Sequence, residues 1–118
     1  MPQDDTWSQA TALNEAREMC SGCALGDKLY VFNGSNSKLN AGKPIKTIEV
    51  LDANQLLAGK NVSWDTFEPE NAPVSVWNFV CPIGPKQVLI FGGRTTSGGN
   101  FCIFDTESRT VTTTSCDY

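Results

Sequence analysis

The chain has 118 residues, 40% hydrophobic and 19% charged, with a formal net charge of -4 and no histidine. That composition can build one compact core and is too apolar for a disordered chain. No apolar run approaches the ~20 residues that cross a bilayer, the acidic balance argues against a phosphate-binding surface, and the missing histidine removes Ser-His and Cys-His catalysis and most zinc, copper and non-haem iron sites.

The first residues, Met1-Pro2-Gln3-Asp4-Asp5, are polar and acidic and lack the basic start and apolar stretch of a secretory signal. The five cysteines, Cys20, Cys23, Cys81, Cys102 and Cys116, are an odd number. The expectation is a reduced, cytoplasmic chain in which strand cysteines behave as small hydrophobes.

In chain order, residues 8–19 contain good helix formers but read as a loop that links what precedes them to the strands. Residues 20–25 form a strand candidate, followed by a tight turn at Gly26-Asp27. The short apolar run Leu29-Tyr30-Val31-Phe32 ends at Asn33-Gly34 and predicts a strand buried on both faces. Polar, breaker-rich residues 35–44 predict a surface loop, and residues 46–52 a third strand. Residues 53–61 make a longer turn, in which Gln55-Leu56-Leu57 has the composition of a helical turn ended by Gly59. Residues 62–68 complete a set of four strands. The same order then recurs: strand 76–82, a turn at Gly84-Pro85, the run Val88-Leu89-Ile90-Phe91 ending at Gly92-Gly93, and strands 100–105 and 109–115. Self-similarity of this kind marks a repeat architecture.

The repeated motifs carry a resemblance. Val88-Leu89-Ile90-Phe91-Gly92-Gly93, then Phe104-Asp105, then Val111 follow the order of the kelch repeat: four apolar residues and a diglycine, an aromatic-Asp pair, and a Trp on the last strand. The first copy has Asn33-Gly34 for the diglycine, Leu51-Asp52 for aromatic-Asp and Trp64 at the Trp position. Trp7, followed by the linker Leu13-Asn14-Glu15-Ala16-Arg17, stands where another repeat would end. The chain is thus similar to kelch β-propellers over nearly all of residues 7–115. The resemblance implies an all-β fold of two four-stranded antiparallel propeller blades, a partial β-propeller. Residues 1–19 would be the end of a preceding blade and its linker, residues 20–70 one blade and residues 71–118 the next. It implies glycines with positive φ at the strand ends, Trp64, Leu51 and Phe104 packed between blades, and aspartates bonding their own turns.

Few residues carry chemistry. Cys20-Ser21-Gly22-Cys23 is a CxxC with no second pair to complete a zinc site and no strand-to-helix context for redox work, so it reads as strand cysteines. Gly92 through Gly99 lacks the Gly-Lys-Ser/Thr ending of a phosphate loop. Trp77 reads as packing, and Asp65, Glu68 and Glu70 read as solvated surface. Kelch proteins that act as copper radical oxidases need histidine ligands, which are absent here. The expectation is a non-enzymatic chain without metal or cofactor. Its candidate partner-binding residues, Asn36, Lys38, Arg94 and Thr95, stand on the loops that kelch proteins present to partners.

Two blades cannot close a ring of the usual four to eight, and repeat units need neighbours to cover their faces. The resemblance therefore implies a protein-interaction module or scaffold within a larger propeller, with a protein partner or further blades at its open faces and neither nucleic acid nor membrane. The alternative is a lectin-like, ligand- or sugar-binding ring made by oligomerisation.

Overall fold

The computed structural model describes residues 7–36, 44–72, 78–91 and 100–115. They form two four-stranded antiparallel sheets, each a simple meander. The first comprises β1 (Ser21–Leu25), β2 (Lys28–Phe32), β3 (Ile48–Asp52) and β4 (Asp65–Phe67), with one short helix, α1 (Ala53–Leu57), between β3 and β4. The second comprises β5 (Phe79–Pro82), β6 (Gln87–Phe91), β7 (Asn100–Asp105) and β8 (Thr110–Ser115). The all-β class and the strand order agree with the sequence pattern. The fourth strand is shorter than residues 62–68, and Val76 and Trp77 lie outside the described residues.

Local chemistry explains the connections. Leu25 pairs with Lys28 across a two-residue turn whose Gly26 has φ +63°, the left-handed geometry such a hairpin needs. Asp52 caps α1 by accepting the Gln55 N–H at 3.0 Å. At the equivalent point of the second sheet, Asp105 Oδ1 accepts the N–H groups of Glu107 at 3.0 Å and Ser108 at 2.9 Å and closes a tight turn instead. These N–H groups hold both carboxyls below the usual aspartate range: Gln55 first for Asp52, with Lys28 second, and Ser108 first for Asp105.

The two sheets stack face to face, and the register shows which faces meet. In the first sheet Tyr30, Phe32 and Ile48 share one side, and in the second Val88, Ile90, Cys102, Phe104 and Val111 share one side. All eight belong to one buried cluster. Phe104 is its centre, with its ring 6.1 Å from Tyr30, 5.7 Å from Phe32 and 5.9 Å from Phe67. Aromatic pairs at these spacings add to plain area burial.

The faces that meet are not equivalent. Aligning the copies at Asn33-Gly34 and Gly92-Gly93 matches Tyr30 with Leu89 and Val31 with Ile90. The first sheet therefore uses the face of Tyr30 and Phe32, its leading face. The second uses the face of Val88 and Ile90, matching Leu29 and Val31, its trailing face. The contact is heterologous, leading on trailing. Leu51 and Glu49, on the first sheet's trailing face, point away from the second sheet and are 1% and 0% exposed. Leu51 thus does not pack between the two sheets as Phe104 does, because it occupies the other face of its own.

Phe104→Ala is expected to lower unfolding free energy by about 3–5 kcal/mol, the usual cost of truncating a fully buried Phe. Urea denaturation followed by far-UV circular dichroism should keep a single transition for the parent chain. Two separate transitions would show that the sheets fold independently. A second expectation concerns acid. The stability from Asp52 and Asp105 is fully present above the unfolded carboxyl pKa of about 3.9 and is lost as pH falls through the lower folded values. The double variant Asp52→Asn, Asp105→Asn, whose amides cap without titrating, should show a flatter stability profile between about pH 2 and 5.

Candidate functional site

The ends of β2 and of β6 lie at the same rim of the stack. Asn78, just before β5, donates through Nδ2 to Asn33 Oδ1 at 2.9 Å, and the Ser21 hydroxyl of β1 donates to the Asn78 carbonyl. These bonds place the loop after Phe32 beside the start of the second sheet. Gly34 has φ +92°, and a Cβ there would meet the Glu18 carbonyl oxygen at 2.6 Å, so this position needs glycine for both backbone angle and space. Asn33, at φ +58°, takes the left-handed position that asparagine tolerates. The diglycine-like pair thus lets the linker run across the rim, where Glu18 and Ser35 exchange backbone bonds of 2.8 and 2.9 Å.

The linker is held by a buried charge pair that sequence reasoning did not find. Arg17 Nη2 lies 2.7 Å from Glu49 Oε2, and both side chains have 0% exposure. Arg17 Nη1 also donates to the carbonyls of Asn33 at 3.1 Å and Thr47 at 2.9 Å, and Nη2 donates to Thr47 Oγ1 at 3.1 Å. Glu49 accepts the backbone N–H of Asn14 at 2.6 Å and of Glu15 at 3.3 Å. Asn14 Nδ2 then reaches Trp64 O at 2.8 Å and Thr66 Oγ1 at 2.7 Å. Two charges taken out of water are tolerated only when paired and surrounded by such bonds. Arg17 Nε and Asn78 Oδ1 are buried without a hydrogen-bond partner, each a cost of about 1–3 kcal/mol that the network must offset. One signal was readable: Glu49 interrupts the apolar run Ile48-Val50-Leu51, and a carboxylate inside a strand buried on both faces requires a cation.

Trp64 precedes β4 and donates through its indole N–H to Thr11 O at 3.0 Å. It fastens the linker and, like Leu51, does not lie between the two sheets. Asp65, expected as free surface, pairs with Arg109 at 2.9 Å, and that guanidinium sits 4.2 Å from the Phe67 ring centroid. Glu68 and Glu70 are exposed as expected.

Of the expected partner-binding residues, Asn36 is half-buried at the rim, and its amide donates to the Ala16 carbonyl at 2.8 Å. Lys38, Arg94 and Thr95 lie outside the described residues. The four described thiols are free and differ in burial. Cys102 is buried and Cys23 half-buried, whereas Cys81, expected in a core strand, is exposed. Burial, and then the neighbouring Cys81, push the Cys23 thiol up, away from the reactive thiolate. Among the described residues no group of three or more Cys, Asp or Glu could hold a metal ion, and no helix is long and apolar enough to cross a membrane.

No known family's sequence model matches the chain, and no curated protein matches it significantly.

The charge pair makes a specific expectation. Arg17→Met or Glu49→Leu alone leaves a buried charge unpaired and should cost about 3–5 kcal/mol. The double variant Arg17→Met, Glu49→Leu should recover much of that loss. A double-mutant cycle by chemical denaturation reads the coupling. Additive losses would show that the two side chains act separately.

Proposed function

We propose that the chain is a non-catalytic, kelch-type protein-interaction module, two consecutive blades of a larger β-propeller that presents its rim loops to a protein partner. The observation that carries this reading is the joining of the two sheets at one rim through Asn78 and Asn33, at 2.9 Å. Repeated sheets stacked in one sense put the ends of β2 and β6, at Phe32 and Phe91, on one side. Loops on a rigid scaffold are where binding residues concentrate. The motif order of the two copies and the leading-on-trailing contact support the propeller part of the reading. The absence of histidine from the sequence supports the non-catalytic part. The free thiols of Cys20, Cys23, Cys81 and Cys102 support a reducing, cytoplasmic setting.

Recognition then rests on Lys38, Arg94 and Thr95, with Asn36 holding the first loop against the linker. Arginine suits this role because one side chain offers five donors and a stacking plane. Protein ligands selected by display against the full chain are expected to lose at least about tenfold in affinity on Arg94→Ala or Lys38→Ala, the scale of one good interface contact. Lys86→Ala, at the turn between β5 and β6 on the opposite rim, should leave binding unchanged. Ligands that respond to Lys86→Ala and ignore the rim loops would place the binding face elsewhere.

A further inference from the structure

The outer edges of the two sheets differ. In the first sheet β4 is 3 residues long, and the linker bonds carbonyls along that edge. The Thr11 hydroxyl donates to Val62 O at 2.9 Å, and Asn14 Nδ2 donates to Trp64 O at 2.8 Å. With Cys81 matched to Cys23, Pro69 and Ala72 stand at the positions of Thr11 and Asn14, and neither has a side-chain donor. The second sheet ends in the longer β8, 6 residues of sequence Thr-Val-Thr-Thr-Thr-Ser. Most of these residues are β-branched and suit a strand. None is charged and none is proline, the devices with which natural sheets blunt an edge.

The turn chemistry shows which backbone groups of β8 point outward. Thr106 donates its N–H to Lys86 O at 2.8 Å, where β6 and β7 meet the turns. In an antiparallel ladder such bonds fall on alternate residues. The even-numbered residues of β7 therefore bond β6, and Ile103 and Asp105 bond their register partners on β8, Thr112 and Thr110. The N–H and C=O groups of Val111, Thr113 and Ser115 are left pointing away from the sheet. Among the described residues β8 pairs with β7 alone, and no other backbone bond reaches it.

We infer that this edge pairs with a second copy of the chain, β8 against β8, antiparallel about a two-fold axis at Thr113. In that register Thr113 meets the partner's Thr113 and Val111 meets the partner's Ser115, so every outward group of the strand finds a bond. No charges are opposed, and threonines facing one another across strands pair favourably. An edge that selects a foreign strand needs side chains that discriminate. The exposed Thr112 and Thr113 offer none, and a two-fold dimer is the commonest form of self-association. The product is one continuous sheet across both copies. This edge lies at the far side of the second sheet from β5, so the pairing does not depend on the propeller reading. Bonds along one short strand bury little area, which sets the dimer in the weak class, with a Kd of about 100 µM.

Sedimentation equilibrium of the full chain from about 5 to 500 µM, with a thiol reductant to prevent cross-links, is expected to show a monomer–dimer equilibrium. Amide exchange of Val111, Thr113 and Ser115 should slow by about threefold at the upper concentration. Thr113→Pro removes an N–H that bonds nothing in its own sheet, and should raise Kd at least about tenfold. Thr113→Lys, at an exposed position, sets like charges against one another across the axis. Its Kd should rise by about tenfold at low salt and recover in about 1 M salt, while far-UV circular dichroism stays that of the parent. Phe79→Ser and Phe101→Ser, away from this edge, should leave Kd unchanged. A monomer at every concentration would overturn the proposal, as would a closed oligomer larger than a dimer. So would a dimer that survives Thr113→Lys and is lost on Phe101→Ser, or one in which the three amides exchange as fast as in the monomer.

Discussion

A four-stranded sheet has two faces, and both sheets of this chain are apolar on both. A sheet of this size is not stable until apolar faces are covered. Among the described residues two of the four faces cover one another and a third is partly covered. The first sheet's leading face and the second sheet's trailing face cover one another around Phe104, which has no exposed surface. The linker crosses part of the first sheet's trailing face at Glu49, while Gly22 and Ala24 on that face are exposed. Among the described residues nothing covers Phe79 and Phe101 on the second sheet's leading face, which are 64% and 36% exposed. The direction of stacking follows from the coverage, and so does the common rim.

The linker is a narrow ribbon and cannot cover a sheet as another sheet does, so it is fastened by polar bonds. Arg17 reaches Glu49, Thr47 and Asn33 together, which ties residues before β1 to β3 and to the end of β2. The matching position in the second sheet is Cys102, whose sulfur lies 3.6 Å from Thr113 Oγ1. In the sequence Ser75 stands at the position of Arg17. The charges are thus present together in one copy and absent together in the other. Physics demands this, because one member alone is a buried charge without a counter-ion. Paired and apolar solutions to the same position coexist in one chain.

The rim shows how a backbone requirement fixes the base of a loop. Gly34 admits the Glu18 carbonyl where no side chain would fit, and Asn33 takes a left-handed conformation while bonding across to Asn78. The loop that follows leaves from a rigid point. Strain and space are settled at the base, where Ser35 bonds Glu18 through the backbone and Asn36 holds Ala16.

The strands, the turn at Gly26, the capping aspartates and the glycine at the end of β2 were legible in the sequence. Each depends on residues within a few positions of one another. The alternation within β2 and β6 showed strands buried on both faces but could not tell which face meets which neighbour. That choice shifts burial by one residue between the copies: Tyr30 and Phe32 in one, Val88 and Ile90 in the other. The Arg17–Glu49 pair, the role of Trp64 on the linker and the Arg109–Asp65 latch were likewise out of reach, since each joins segments far apart in the chain. The sequence by itself determined local conformation and the repeat, because backbone sterics and periodicity are local. Only the tertiary structure decided which apolar face is closed, which is open and how a buried carboxylate is neutralised, because those outcomes depend on what the fold brings together in space.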